Sequence, residues 1–270
     1  MISIFAEIYP MSTAEVILLI ISGLMVGFIN TLAGGGSIIS LSVLIMLGLP
    51  ATLANGTNRI AIMLQTLVAT GSFRHQKVLD SKKGLWLGIP SVLGSVLGAR
   101  IAVDIKEDLF EKAIAVILLV MLVIILMRPK RWLFGNEELV DRKVSLSQVI
   151  IFFLIGVYGG FLHVGVGYFL LAAIVLGAGY DLVRANAIKV LIVLLYSPFA
   201  LMVFLLHGQV RWDYGLIMAI GNVTGALIAS RMAVSKGAAF VRWVMIVLIL
   251  ITSADLLNIL DIRGLVSAII

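Results

Sequence analysis

The chain has 270 residues, 61% of them hydrophobic and 13% charged, with a formal net charge of +6 and no cysteine. A soluble globular domain carries roughly 45–50% apolar and about 25% charged residues, so this composition excludes an ordinary soluble fold and points to a chain solvated by lipid. The lack of cysteine excludes disulfides, iron–sulfur clusters and thiolate metal sites.

Residues 1–11 hold Glu7 but no Lys or Arg, so they lack the basic front of a cleaved secretion signal, and the first apolar run, 14–32, reads as a retained span. Apolar length and punctuation then give segments at 37–47, 51–73, 84–103 and 109–127. After a polar loop come 148–164, 169–176, 182–206, 214–233 and 239–257. Crossing a hydrocarbon core of about 30 Å takes about 20 residues of helix. The runs 37–47 and 169–176 are too short to cross as helices alone, and each follows glycines: Gly34, Gly35 and Gly36 in one case, Gly165 and Gly167 in the other. Such pairs predict broken or re-entrant helices.

Orientation follows from the bias of Lys and Arg among short loops. Arg74, Lys77, Lys82 and Lys83 lie in one, Arg128, Lys130, Arg131, Arg142 and Lys143 in the central one, and Arg231, Lys236 and Arg242 in a late one. Placing all three in the cytoplasm satisfies the positive-inside rule. Cations at span ends are explained by topology and anionic lipid, so no nucleic-acid partner is expected. If the two short segments cross with unwound chain completing them, there are ten crossings and both termini lie outside; if they only re-enter, there are eight.

The two halves match. An offset of 131 takes Ala54 and Asn55 to Ala185 and Asn186, Gly94 to Gly225 and Arg100 to Arg231, and an offset of 133 takes Gly27 to Gly160. Equivalent loops differ in charge: the cationic loop at 74–83 corresponds to the nearly neutral one after Leu206, and the acidic-leaning loop at 104–112 to the cationic one at 231–242. Equivalent loops on opposite faces mean an inverted repeat with an odd number of crossings per half. The expected fold is therefore an all-α integral membrane protein of about ten segments in two inverted five-segment repeats, each with a short glycine-interrupted helix. Its parts are an N-terminal tail outside (1–13), repeat one (14–127), a cytoplasmic loop (128–147), repeat two (148–257) and a C-terminal tail (258–270). The expected location is the cell inner membrane, as a multi-pass protein. Inverted repeats with paired interrupted helices point to a secondary transporter with its site at the repeat interface.

Charges deep in a span cost about 2.5–3.5 kcal/mol on insertion scales, so two deep cations stand out. Arg59 follows Asn55, Gly56, Thr57 and Asn58, and Lys189 follows Asn186, Ala187 and Ile188 at comparable depth; in register Lys189 replaces Asn58. At about 100° per residue, Asn55, Asn58, Arg59, Gln65 and Thr66 share one helix sector, and Asn186, Lys189, Tyr196 and Ser197 share another. No acidic residue lies at that depth; Asp181, Asp213 and Asp255 are near span ends. Two readings stand: the cations await an anionic substrate, or they snorkel or bind backbone carbonyls at broken helix ends. Helix N-termini opened by Gly34, Gly35 and Gly36 and by Gly165, Gly167 and Tyr168 would cradle an oxyanion. Asn30 and His163 are equivalent at the 133 offset, each just ahead of its glycines. His163 could carry a proton, donate to substrate or bond a neighbouring helix. His75 and His207 lie in loops. No phosphate-binding GxxxxGK[ST] loop, metal-ligand cluster or hydrolytic triad is recognisable, so no enzyme and no cofactor are expected.

At these residues the chain resembles the TauE/SafE family of sulfite exporters and sulfonate permeases. The likeness rests on GFINTLAGGG at 27–36, ANGTNR at 54–59, and second copies at 160–167 and 185–189, and spans about 14–257. In the second copy Tyr168 stands where the triple glycine would continue. The resemblance implies movement, often outward, of small sulfur-containing anions such as sulfite, sulfonates or related organic acids. The candidate substrate ligands are Asn30, Gly34, Gly35, Gly36, Asn55, Thr57, Asn58, Arg59, His163, Gly165, Gly167, Tyr168, Asn186 and Lys189. The expected partners are that anion and membrane lipid, with a second copy of the chain as a candidate. An anion channel of the same architecture is the alternative; an intramembrane enzyme and a structural scaffold are the other classes weighed.

Overall fold

The computed structural model describes residues 11–103 and 134–256. The expected segment at 109–127, Arg128, Lys130, Arg131 and the outer parts of both tails lie outside the described residues. The described elements are helices: α1 (Thr13–Leu32), α2 (Ser37–Met46), α3 (Ala51–His75), α4 (Ser81–Ala102), a short α5 (Glu137–Val140), α6 (Leu146–Phe161), α7 (Val166–Ala172) running into π-helical turns at Ala173–Gly177, α8 (Leu182–Leu206) and α9 (Trp212–Leu256). α9 joins the two segments expected at 214–233 and 239–257; its non-helical residue, Gly237 at φ 76°, marks the break between them.

Local chemistry sets the ends. Ser12 and Glu15 form a capping box on α1, Ser145 and Gln148 form one on α6, and Asp80 and Asp181 cap α4 and α8. Gly34 at φ 99° stops α1 before α2 begins, and Gly165 at φ 72° turns the chain into α7; both values lie in the left-handed region that favours glycine. Among the described residues, four helices are long and apolar enough to cross a membrane: α1, α4, α8, and α9 over Trp212–Ile251. α3 has the length, at 25 residues, but gives up hydropathy to Asn55, Asn58, Arg59, Gln65 and Thr66, all buried. Polar residues are turned inward and apolar ones outward: α4 exposes Trp86, Ile89, Leu93 and Leu97 while burying Ser91 and Ser95. That is the arrangement a lipid solvent requires.

Packing is organised by small residues. α1 crosses α9 and α4 crosses α6, the two most extensive contacts in the fold. At the first crossing a Cβ on Gly27 would fall 2.0 Å from the Asn222 carbonyl oxygen; at the second, one on Gly98 would fall 1.8 Å from that of Val157. Backbones approach this closely only without side chains between them. α3 then packs on α9, α8 on α4, and α3 on α8 through the middle. At one end, the Ser72 and Ser230 hydroxyls bond at 2.7 Å, the Tyr180 hydroxyl donates to Asp80 at 2.6 Å, and Lys83 donates to the carbonyls of Val140 and Arg142. Arg184 pairs with both Glu137 and Asp181 at that end.

Candidate functional site

The breaks between α1 and α2 and between α6 and α7 meet at the centre of the bundle. Gly34 and Gly167 stand face to face, so that a Cβ on either would lie 2.3 Å from the other's Cα. Beside this contact is a small cavity, with room for about one water molecule, lined by Asn30, Gly34, Gln65, Thr66, His163 and Lys189 among others.

A helix that ends inside the bundle leaves its last carbonyls without intrahelical partners. At the end of α1 the Lys189 ammonium donates to the carbonyls of Asn30 at 2.9 Å and Thr31 at 3.0 Å, and to the Asn186 side-chain oxygen at 2.6 Å. At the end of α6 the Arg59 guanidinium donates to the carbonyls of Gly159 at 3.1 Å and Gly160 at 2.5 Å, and Asn55 donates to that of Phe161 at 3.0 Å. Phe204 packs its ring 4.6 Å from the guanidinium carbon. Each cation thus closes a helix of the other half of the chain.

Both cations are about 1% exposed, so neither snorkels, and among the described residues neither pairs with a carboxylate. Of the readings the sequence left open, binding to backbone carbonyls at broken helix ends is the one the structure shows for both cations, and snorkelling is not. Those dipoles satisfy hydrogen bonds but carry no net charge, so two positive charges stay uncompensated by the described protein groups.

The other expected residues divide by location. Asn30 turns its amide to the start of α2, accepting from the Gly36 amide at 2.7 Å and donating to the Ser37 hydroxyl at 3.2 Å. Gly35 lies under the Tyr168 ring, whose hydroxyl is buried without a hydrogen-bond partner among the described residues. Gly165 supplies the turn into α7. Both ends of the Asn58 amide, the Asn55 oxygen, the Asn186 nitrogen and Arg59 Nε are likewise buried without a partner among those residues. His163 Nδ1 is 3.0 Å from the Tyr196 hydroxyl. Thr57 is not brought to the cavity: its hydroxyl accepts from the Arg211 amide at 2.9 Å, because two residues of helix turn it away from Arg59 toward the start of α9.

Three polar residues join the neighbourhood that were not among the expected ligands. Gln65 and Thr66 line the cavity, and their place on the polar stripe of α3 was the available signal. Asn222 on α9 donates to Gln65 at 3.2 Å. Its signal was being the one asparagine within the apolar run 214–233.

A family model described as "Sulfite exporter TauE/SafE" matches residues 19–256. The chain is 29% identical over 238 residues to a "Probable membrane transporter protein" of Haemophilus influenzae, covering 87% of this chain and 91% of that one. It is 27% identical over 257 residues to the "Probable membrane transporter protein YfcA" of Escherichia coli, covering 94% and 93%. Its identity to the "Probable membrane transporter protein ORF9" of a Sinorhizobium species is 27% over 229 residues, covering 85% and 87%. No solved structure matches the chain. A family match across residues 19–256, on a helical bundle with four candidate membrane spans, shows that this chain belongs to the TauE/SafE family of membrane transporters.

Proposed function

We propose that the chain is a secondary transporter that carries small sulfur-containing anions (sulfite, sulfonates or related organic acids) outward across the inner membrane. The observation that carries the proposal is the pair of buried cations, Arg59 and Lys189, at the ends of two broken helices with no described carboxylate to neutralise them. An oxyanion would supply the missing charge, with Lys189, Asn30, Gln65, Thr66 and His163 around it and Gly34 and Gly167 allowing backbone approach. The cavity in this state holds about a water, so a sulfonate requires a more open one. Sulfur chemistry and outward direction come from the family description alone. The anion-channel alternative is not favoured, since the relatives carry transporter names.

The same reading includes two inverted five-segment repeats with both termini outside. The crossed contacts support it: α1 on α9 mirrors α6 on α4, and α3 on α9 mirrors α8 on α4. Gly34 and Gly167, which are equivalent at the 133 offset, meet each other as residues on a twofold axis would. The loop at 74–83, the segment around 136–145 and the part of α9 at Ser230 gather at one end of the bundle, as a shared cytoplasmic face requires.

The test is reconstitution of the full chain into liposomes with influx and efflux of sulfite, methanesulfonate and isethionate, against acetate and succinate as controls. Saturable movement of the sulfur anions that falls at least tenfold in Lys189→Met supports the reading. Movement of the carboxylates alone would overturn the substrate class, and wild-type rates in the variant would overturn the site.

A further inference from the structure

Of the described side chains lining the cavity, Lys189 and His163 are the two that titrate. Lys189 is committed to three oxygens. His163 is held at one edge: Nδ1 lies 3.0 Å from the Tyr196 hydroxyl, with the rings tilted 53° and their centroids 5.9 Å apart. A tyrosine hydroxyl donating to Nδ1 puts the ring proton on Nε2, the tautomer that presents a donor on the opposite edge.

The titratable groups around it are few. α3 brings Arg59, α8 brings Lys189 and Tyr196, α7 brings Tyr168, and α6 brings Tyr158, whose hydroxyl is used on the Val164 carbonyl at 2.6 Å. α1 contributes Asn30, and α9 reaches the cavity only through the bond from Asn222 to Gln65. The charges acting on His163 are both positive, from Arg59 and Lys189. A proton arriving alone adds a third positive charge to two like ones. An anion arriving together with that proton lowers the net charge of the cluster back to its resting value.

From this geometry we propose that His163 is the proton site of the transporter, taking up one proton with each anion so that a monovalent sulfonate crosses without net charge. The inference rests on the anion-transport reading above and adds the coupling ion to it. An anion about 4–5 Å from an imidazolium, at the effective dielectric of about 20 that suits protein sites, couples the two binding events by about 10²–10³-fold. The coupling is reciprocal, so the anion tightens proton binding by the same factor. The first half of the chain has Asn30 at the equivalent position, which cannot titrate. One half therefore holds the proton and both halves hold the anion. In that tautomer Nε2 already carries its proton, so the added proton goes to Nδ1 and the Tyr196 hydroxyl turns from donor to acceptor there; Tyr196 is a positioning residue.

The test uses the full-length protein in liposomes loaded with a pH-reporting dye, driven by gradients of methanesulfonate or isethionate, which stay ionised between pH 5 and 8. The expected result is acidification of the compartment that receives the anion, one proton per anion, at a rate unchanged when a potassium ionophore clamps the membrane potential. The KM for the anion should rise with pH, by up to tenfold per unit. His163→Asn, which copies the residue of the first half, should bring the proton-to-anion ratio of any residual flux to zero and flatten the pH profile. Tyr196→Phe should displace that profile along the pH axis without abolishing it. Sulfonate flux in the wild-type protein without acidification, or flux that follows the membrane potential, overturns the proton site and leaves the transport reading standing. Should neither sulfonate move at all, the transport reading for sulfonates falls and takes this inference with it.

Discussion

Replacing Gly167 with alanine places a methyl group where the two broken helices touch. Its Cβ would lie 2.3 Å from Gly34 Cα and 3.2 Å from the Ala33 carbonyl oxygen. Carbon–carbon contact settles at about 3.5–4.0 Å, so the helix ends must separate by about 1.2 Å or more. Neither contact is a side chain that could rotate aside. The α1 end cannot drift freely either, because Lys189 holds the Asn30 and Thr31 carbonyls. Overpacking of this kind costs about 1–3 kcal/mol and sometimes more, and two backbone contacts place Gly167→Ala near the top, at about 3 kcal/mol. By the scaling for domains of 150–250 residues, that lowers the unfolding midpoint by about 6–12 °C. The assay is thermal unfolding in detergent followed by tryptophan fluorescence, with Gly71→Ala as control. Gly71 lies within α3, where a Cβ meets nothing within 4 Å, so alanine should leave the midpoint unchanged or raise it through helix propensity worth up to about 1 kcal/mol. A Gly167→Ala protein that unfolds with the wild type would refute the backbone contact between the helix breaks.

Other perturbations separate the roles of individual groups. Lys189→Met leaves two carbonyls and the Asn186 oxygen without their shared donor. Stability should fall by about 2–4 kcal/mol in denaturant unfolding, and flux should fall with it; a stability loss with intact flux would confine Lys189 to capping. For Arg59→Lys, one ammonium replaces a fork that spans two carbonyls, so the midpoint should drop by several degrees even though the charge is kept. Outside the spans, burial pushes the Asp80 carboxyl up, but the Lys83 amide, the Tyr180 hydroxyl and the Lys83 charge together hold it below the usual carboxylate range. A lowered folded-state value means its stabilisation is present above about pH 4 and is lost as pH falls through that lower value. Tyr180→Phe should therefore cost about 1–2 kcal/mol near neutrality, and the difference from wild type should close in acid; an equal difference at pH 3 and pH 7 in chemical unfolding would count against it.

The helices were legible because lipid imposes long apolar runs and glycine ends them: the expected run at 182–206 is α8 residue for residue, and 37–47 is α2 to within one residue. α6 stops at Phe161, short of the expected 164, because the apolar Leu162 and Val164 continue the hydropathy while the backbone turns extended at Leu162. Hydropathy carries no signal for such a turn. The polar stripes were legible as faces, which is why Arg59, Lys189, Asn55 and Asn186 come to the centre. Backbone carbonyls at the helix breaks were one reading of the cations, but which carbonyls was not legible, since a backbone carbonyl has no letter in a sequence. Thr57 misled for the opposite reason, sitting inside a polar motif while facing a loop 154 positions away.

The two readings of the buried cations, as caps for carbonyls or as ligands for an anion, need not compete. A helix that stops within hydrocarbon strands carbonyls at a cost of several kcal/mol each, and only donors brought from elsewhere relieve it. Asparagine could supply donors alone, and Asn55 does so at Phe161. A lysine and an arginine supply donors and, with them, charge that the described carbonyl partners cannot cancel. The break thus makes a buried cation tolerable, and the surplus charge makes the break attractive to an anion. Because Arg59 and Lys189 each close a helix of the opposite half, an anion drawing on either would change the hold of one half on the other. Binding and the relative motion that exposes a central site to one side and then the other would share the same two side chains.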